Sequence, residues 1–340
     1  MNGSPRAGSL TELLGRLLGG ARQIAFLDFP DYANAGDSAI YLGELEVFRR
    51  LGLSPIVFAD VDTGPVENLR RAIGERPILV HGGGNFGDLW PRHQVHREDV
   101  ARCFPRNRII QLPQSIHFGD PARLAASAAA LAAHGDFHLM VRDRTSQGLG
   151  ERFAPGRTYL VADAATNLGV RPFDRERVRP WDLLLLIRTD KESAIGGDAA
   201  KALATLPAGV RATMADWAGE DTGLAQRIYD RLNKTGRHHA PAIHWLLTQA
   251  TSAAAGRLAR QRFARGVGLI ESARVVVTDR LHAVIIAWLR GVPVFYVDNS
   301  YGKLSGYVDC WLSGEAGIVR AESLREAIDR SVVRLGAMAA

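Results

Sequence analysis

The stretch VVVTDRLHAVIIAWLRGVPVFYVD, Val275 to Asp298, decides the fold. Its β-branched opening, Val275 to Val277, reads as a buried strand that ends at Thr278-Asp279. Leu281, Val284, Ile285 and Trp288 follow at helical spacing, and Gly291 and Pro293 stop the helix. Val294 to Val297 is a second buried strand, so the whole is a β-α-β unit. Asp279, Arg280 and His282 then stand where the first strand hands over to the helix. In open parallel sheets ligands bind at this carboxyl edge, and a helix N-terminus there favours anions. An arginine and a histidine two residues apart at such a place point to an anionic substrate with an acid or base beside it.

Outward from this unit the same alternation recurs. Toward the N-terminus, Gln23 to Asp28 reads as a strand, and the turn PDYANAGDSAI leads into a helix through Glu44, Val47 and Phe48. Asn34, Gly36 and Asp37 fall at that junction; Asp37 or Ser38 caps the helix, or the loop faces a ligand. Pro55 to Ala59 is a strand, Val66 to Ile73 a helix, and Pro77 to Val80 a strand running into HGGGNFGDLW. Consecutive glycines there allow close approach of backbone to a ligand, with Gly83, Gly84, Asn85 and Asp88 as cleft residues. The loop has neither the Gly-Lys-Ser/Thr of a P-loop nor the spaced dinucleotide fingerprint. Helices near His93 to Cys103 and Pro121 to Ala133 and strands at Arg108 to Leu112, Phe137 to Val141 and Tyr159 to Val161 continue the pattern, with Arg142 and Asp143 at another carboxyl edge.

RPFDRERVRP, residues 171–180, is charged and bracketed by prolines, and reads as a linker between a domain at 1–170 and one at 181–340. The pattern restarts with Asp182 to Ile187, which ends at Arg188, and a weaker strand follows at Val210 to Met214. The expected fold is α/β, with two Rossmann-like, doubly wound domains whose carboxyl edges face each other across a cleft. Asn34, Asp37, Gly83, Gly84, Asn85, Asp88 and Arg142 would enter it from the first half, and Arg188, Arg280, His282, Asn299 and Lys303 from the second.

Composition narrows the class. At 46% hydrophobic and 23% charged residues the chain is ordinary globular protein, and no apolar run approaches the ~20 residues of a membrane span. The first residues lack the apolar core of a signal peptide, which points to the cytoplasm. Cys103 and Cys310 have no partner spacing, so neither a structural disulfide nor a metal site is expected. The net charge of +6 is spread along the chain without a nucleic-acid motif; Arg237, His238 and His239 read as a surface step.

Taken in order and spacing, NAGDSAI, HGGGNFGDLW, QLPQSIHF, VRDRTS and VTDRLHAVIIAWLRGVPVFYVDNSYGK resemble the polysaccharide pyruvyltransferase family, over roughly residues 24–311. The resemblance implies a fold similar to GT-B glycosyltransferases. It implies transfer of a pyruvyl group from phosphoenolpyruvate to sugar hydroxyls as a ketal, in exopolysaccharide or cell-surface glycan synthesis, with no cofactor or metal. By position, Arg280, Leu281 and His282 match the donor-site Arg-Leu-His, with Arg188 or, competing with it, Arg142 as a further donor arginine and Lys303 beside them. His282 would be the general acid and Asp88 the base. The partners implied are phosphoenolpyruvate and a glycan acceptor. A lipid-linked acceptor would add a peripheral stay at the inner membrane face, and a homo-oligomer is compatible with the sequence. Two rivals share the architecture: a nucleotide-sugar glycosyltransferase using Glu271 or Asp298 at a ribose, and a non-catalytic sugar-binding component of an assembly complex.

Overall fold

The computed structural model describes residues 8–171, 173–174, 176–188, 195, 198–204, 206–217, 223–236, 241–298 and 302–339. Asn299 and the step at Arg237, His238 and His239 lie outside them. The elements in chain order are α1 (Gly8–Leu18), β1 (Gln23–Leu27), α2 (Ala35–Leu51), β2 (Ser54–Ala59), α3 (Arg70–Ile73), β3 (Ile78–Val80), β4 (Gly83–Gly87), α4 (Pro91–Cys103), β5 (Ile109–His117), α5 (Pro121–Ala132), β6 (Phe137–Val141), α6 (Arg144–Gly150) and β7 (Thr158–Leu160). They continue with β8 (Trp181–Leu186), α7 (Asp198–Ala204), β9 (Ala212–Ala215), α8 (Leu224–Gly236), α9 (Pro241–Glu271), β10 (Ala273–Thr278), α10 (Leu281–Leu289), β11 (Val294–Val297), α11 (Lys303–Trp311), β12 (Ile318–Ala321) and α12 (Leu324–Ala339).

Two compact units result, each with one parallel sheet. The first holds seven strands in the order β2-β1-β3-β5-β6-β7, with β4 on β5. Its strands are apolar on both faces because both are covered. Ile24, Phe26, Phe58, Ile110 and Met140 share one core with α1, α2 and α9, whereas Ala25, Leu27, Val57, Val80 and Val141 join Val100 and Leu131 of α4 and α5 in another. The second sheet holds five strands in the order β12-β11-β10-β8-β9. Val275 pairs with Leu183 and Val276 with Val294. Leu183, Leu185, Val275 and Val277 face a core with α12. All residues of α10 except His282 are buried, so this helix is apolar around its whole circumference rather than along one stripe.

The α/β class and parallel sheets agree with expectation; three local features differ. The glycine-rich stretch is not a plain turn, since Gly83 to Gly87 pairs with β5. A Cβ on Gly87, whose φ is 135°, would lie 1.7 Å from the His117 carbonyl oxygen, so glycine here admits a neighbouring strand. The cap of α2 is Asn34, whose Oδ1 accepts from Gly36 N at 2.8 Å; Asp37 and Ser38 already lie inside the first turn. The units are also discontinuous in sequence, unlike a single break at 171–180. The first takes 221–260 as well, because Tyr229 and Asn233 of α8 donate to Asp60 and Ala255, Leu258 and Ala259 of α9 enter its core. The second takes 33–39, whose Gly36 packs on His282.

Candidate functional site

In the second sheet, β8 leads outward to β9 on one side while β10, β11 and β12 run outward on the other. The strand order therefore reverses between β8 and β10, and the crevice at their carboxyl ends is the place such a sheet offers a ligand. Arg188 follows β8, Trp217 follows β9, and Asp279 to His282 follow β10. These residues, with Asn34, Lys303 and Leu304, line one concavity of about 30 Å³. Backbone amides add to its positive character, because Leu281 opens a helix there.

Local chemistry fixes each group. Thr278 Oγ1 donates to the Leu186 carbonyl (2.6 Å) and accepts from Arg280 N (3.0 Å), which sets the turn out of β10. Asp279, 1% exposed, accepts from Arg188 N at 2.9 Å and so ties the two strand ends together. The Arg280 side chain, also buried, donates to Asp216 and lies 6.0 Å from the Trp217 ring centroid. His282 is half-buried at the second position of α10. Its ring is overlain by α2: a Cβ on Gly36 would sit 2.7 Å from both Cβ and Nδ1 of His282. Asp298 accepts from the amides of Leu304 and Ser305, at 3.0 and 3.1 Å, and so orders the start of α11 beside Lys303.

Six residues named from the sequence thus meet here: Asn34, Arg188, Arg280, Leu281, His282 and Lys303. Asp279, placed at the junction from the sequence, also lines it, and Trp217 and Asp216 join them unanticipated. Asp216 and Trp217 follow a short, half-exposed strand, and the carboxyl-edge argument used for β10 would have reached them had that strand been placed one residue further on.

The remaining named residues do other work. Asp37 stands half-buried in the first turn of α2 and does not line the concavity. Arg142, fully buried in the first unit, pairs with Asp163 and donates to Ser115 Oγ, which braces the end of β6. Asp88 accepts from the amides of Gly119 (3.0 Å) and Asp120 (2.7 Å). Partial burial raises its carboxyl, but those amides outweigh it and hold it below the usual carboxylate range. Gly83 belongs to β4, Gly84 is half-buried, and Asn85 is a buried hub: it donates to Asp28 (3.3 Å) and accepts from Arg97 (2.9 Å) and Gln114 (2.8 Å).

That hub belongs to a polar network at the carboxyl end of β1, beside the first sheet's own reversal between β1 and β3. Asp28 is buried with a left-handed φ of 68°, a strained conformation for a residue with a Cβ. It accepts from His93 Nδ1 at 2.6 Å. Burial alone would raise Asp28; His93, His96 and Arg97 outweigh it and lower the carboxyl. Burial pushes the Arg97 guanidinium down to about 10 and the His96 imidazole below its usual value. Nδ1 of the His93 ring is thus committed to Asp28.

Comparison with known proteins adds independent findings. Residues 34–301 match the polysaccharide pyruvyl transferase family. The chain is 31% identical to pyruvyl transferase 1 of Schizosaccharomyces pombe, over 87% of this chain and 71% of that one. A Bacillus subtilis relative, EpsO, is 29% identical over 86% of each chain. A crystal structure of a functionally uncharacterised Klebsiella pneumoniae protein has a similar fold, with a TM-score of 0.60 at 16% identity over 95% of this chain and all of that one.

Proposed function

Since the chain belongs to the polysaccharide pyruvyl transferase family, we propose that it transfers the pyruvyl group of phosphoenolpyruvate to a glycan, closing a ketal on two sugar hydroxyls. The observation that carries the donor assignment is the gathering of Arg188, Arg280, Lys303 and His282 around one concavity at a sheet reversal. Phosphoenolpyruvate presents a carboxylate and a phosphate. Guanidinium forks and helix amides suit both groups.

In this mechanism Arg280, Arg188 and Lys303 hold the donor, and His282 as imidazolium gives a proton to the methylene carbon while C2 becomes electron-poor. A sugar hydroxyl adds to C2, the C2–O bond to phosphate breaks, and a second hydroxyl closes the ketal. Its two hydroxyl protons pass to a base and to the departing phosphate. The concavity is small and Arg280 is already engaged by Asp216, so donor entry requires Arg280 to exchange that partner. For the base, the sequence nominates Asp88. We set His93, whose Nδ1 is held by Asp28 at 2.6 Å, beside it as a second candidate, since Asp88 already accepts from two backbone amides.

The test is calorimetric titration with phosphoenolpyruvate, beside a panel of nucleotide sugars. Saturable donor binding that Arg280→Ala abolishes and His282→Ala retains, with turnover lost in both, is expected. General acid catalysis is worth about 100- to 10,000-fold, which sets the loss for His282→Ala. A nucleotide sugar bound in place of phosphoenolpyruvate would move the chain to glycosyl transfer. Against that rival, Asp298 is committed to the start of α11 and Glu271 pairs with Arg177 and Arg290.

A further inference from the structure

The second sheet carries another basic concavity, at the opposite end of its strands. Arginine recurs where these strands begin: Arg179 stands two residues before β8, Arg211 directly before β9, and Arg274 is the second residue of β10. Because neighbouring strands are all parallel, these residues emerge together at the amino-terminal edge. With Arg177 and Arg334 they line a cavity of about 560 Å³. The loop that brings Arg177 and Arg179 is seated firmly. Arg171 N donates to the Leu289 carbonyl at 2.7 Å, and a Cβ on Gly291 would come 2.5 Å from Phe173 N.

Clustered guanidiniums repel one another, and the surrounding carboxylates compensate only in part. Asp182 pairs with Arg211 at 3.1 Å and with Arg274 at 3.8 Å, Glu271 pairs with Arg177, and Asp174 lies near Arg179. The cavity lining itself carries five guanidiniums and no carboxylate among the described residues. Arg179 is the most confined of them at 7% exposure, with its guanidinium 4.3 Å over the Phe173 ring. It donates from Nη1 to the carbonyls of Asp174 and Arg177, while its buried Nε has no acceptor among the described residues. A buried donor without an acceptor is destabilising, so the arrangement is one a bound anion would relieve.

We propose that this cavity binds the phosphate group of a phosphorylated ligand, at a site separate from the donor concavity and independent of the pyruvyl-transfer reading. A lining of guanidiniums without a carboxylate suits a phosphoryl dianion, and guanidinium forks match its oxygens. The volume, within the roughly 300–1,000 Å³ of small-molecule sites, leaves room for an organic or glycerolipid portion behind the phosphate.

The test titrates the full chain with inorganic phosphate by calorimetry, alongside Arg280→Gln, Arg179→Gln/Arg274→Gln and the milder, exposed-site Arg334→Gln, with heat-unfolding midpoints verifying that each is folded. Phosphate binding that persists in Arg280→Gln and weakens about tenfold or more in Arg179→Gln/Arg274→Gln is expected, with a smaller loss in Arg334→Gln. Flotation with phosphatidylcholine vesicles containing phosphatidate separates the two sources of such a group. Capture that needs Arg179 and Arg274 assigns a lipid headgroup; free-phosphate binding without capture assigns a soluble ligand. Binding that only Arg280→Gln removes, binding indifferent to Arg179, Arg274 and Arg334, or no binding of either probe overturns the proposal.

Discussion

Arg280 illustrates how much one side chain is asked to do. It is buried, it forms the N-cap position of α10 without capping the helix through its side chain, and its guanidinium is held by Asp216 near Trp217. A planar fork suits both Asp216 and the carboxylate or phosphate that would replace it, whereas a lysine offers one flexible point charge. Arg280→Lys is therefore expected to weaken phosphoenolpyruvate binding by about tenfold or more despite keeping the charge. Calorimetry checks this, and unchanged affinity would remove the bidentate role. Gly36 controls the neighbouring histidine by its lack of a side chain. Gly36→Ala should displace the His282 ring and lower turnover about tenfold to a hundredfold, the scale of an ångström-sized misplacement, while donor binding changes little. A kcat and KM determination separates those effects.

At the scale of elements, the strands were legible where apolar runs are unbroken. Phe137–Val141 and Val294–Val297 appear as read, and the remaining boundaries shift by a few residues. The run Val275 to Trp288 revealed both the β-α junction and its three polar residues, because charge set between two buried segments has few structural explanations. What the sequence hid depends on contacts remote in the chain. The Asp28–His93 pair spans 65 residues and Arg280–Asp216 spans 64, and no periodicity announces either. Gly83 to Gly87 was hidden for a different reason: glycine carries no strand signal, yet β5 comes so near that only glycine fits. Gly87→Ala combines a positive φ with a clash against backbone and should lower stability by about 3 kcal/mol or more. A urea-unfolding midpoint reports it, and a change below about 0.5 kcal/mol would mean that β4 readily gives way.

For the whole molecule, carboxylates held below their ordinary range set an acid limit. Asp28 and Asp88 are both lowered: burial raises each, and the charged neighbours of Asp28 and the amides on Asp88 outweigh it. The unfolded chain thus takes up their protons first, so their contribution is full above the ordinary carboxylate pKa of about 4 and drains away as pH falls through the lower folded values. Glu44 runs the other way. Burial lifts it further than the His81 imidazole and the Gly82 amide bring it back, so what it contributes is present in acid and is lost as pH rises through its folded pKa. The urea midpoint should accordingly decline below about pH 4, and Asp88→Asn should flatten the decline while lowering the neutral-pH plateau. An unaltered slope would place the acid sensitivity elsewhere. Among the described residues no helix is long and apolar enough to cross a membrane.

The interleaving of the two units governs how the chain can be recombined. Neither unit is a contiguous cassette: 33–39 belongs with the second unit and 221–260 with the first. A chimera spliced at 171–180 would graft one parent's Arg-Leu-His helix beneath another parent's Gly36 turn, and seat one parent's Asp60 against a foreign Tyr229. Exchange of the second unit between relatives therefore calls for transplanting three coordinated segments, and recombinants made at the linker alone should fold poorly or lose turnover even when both parents are active.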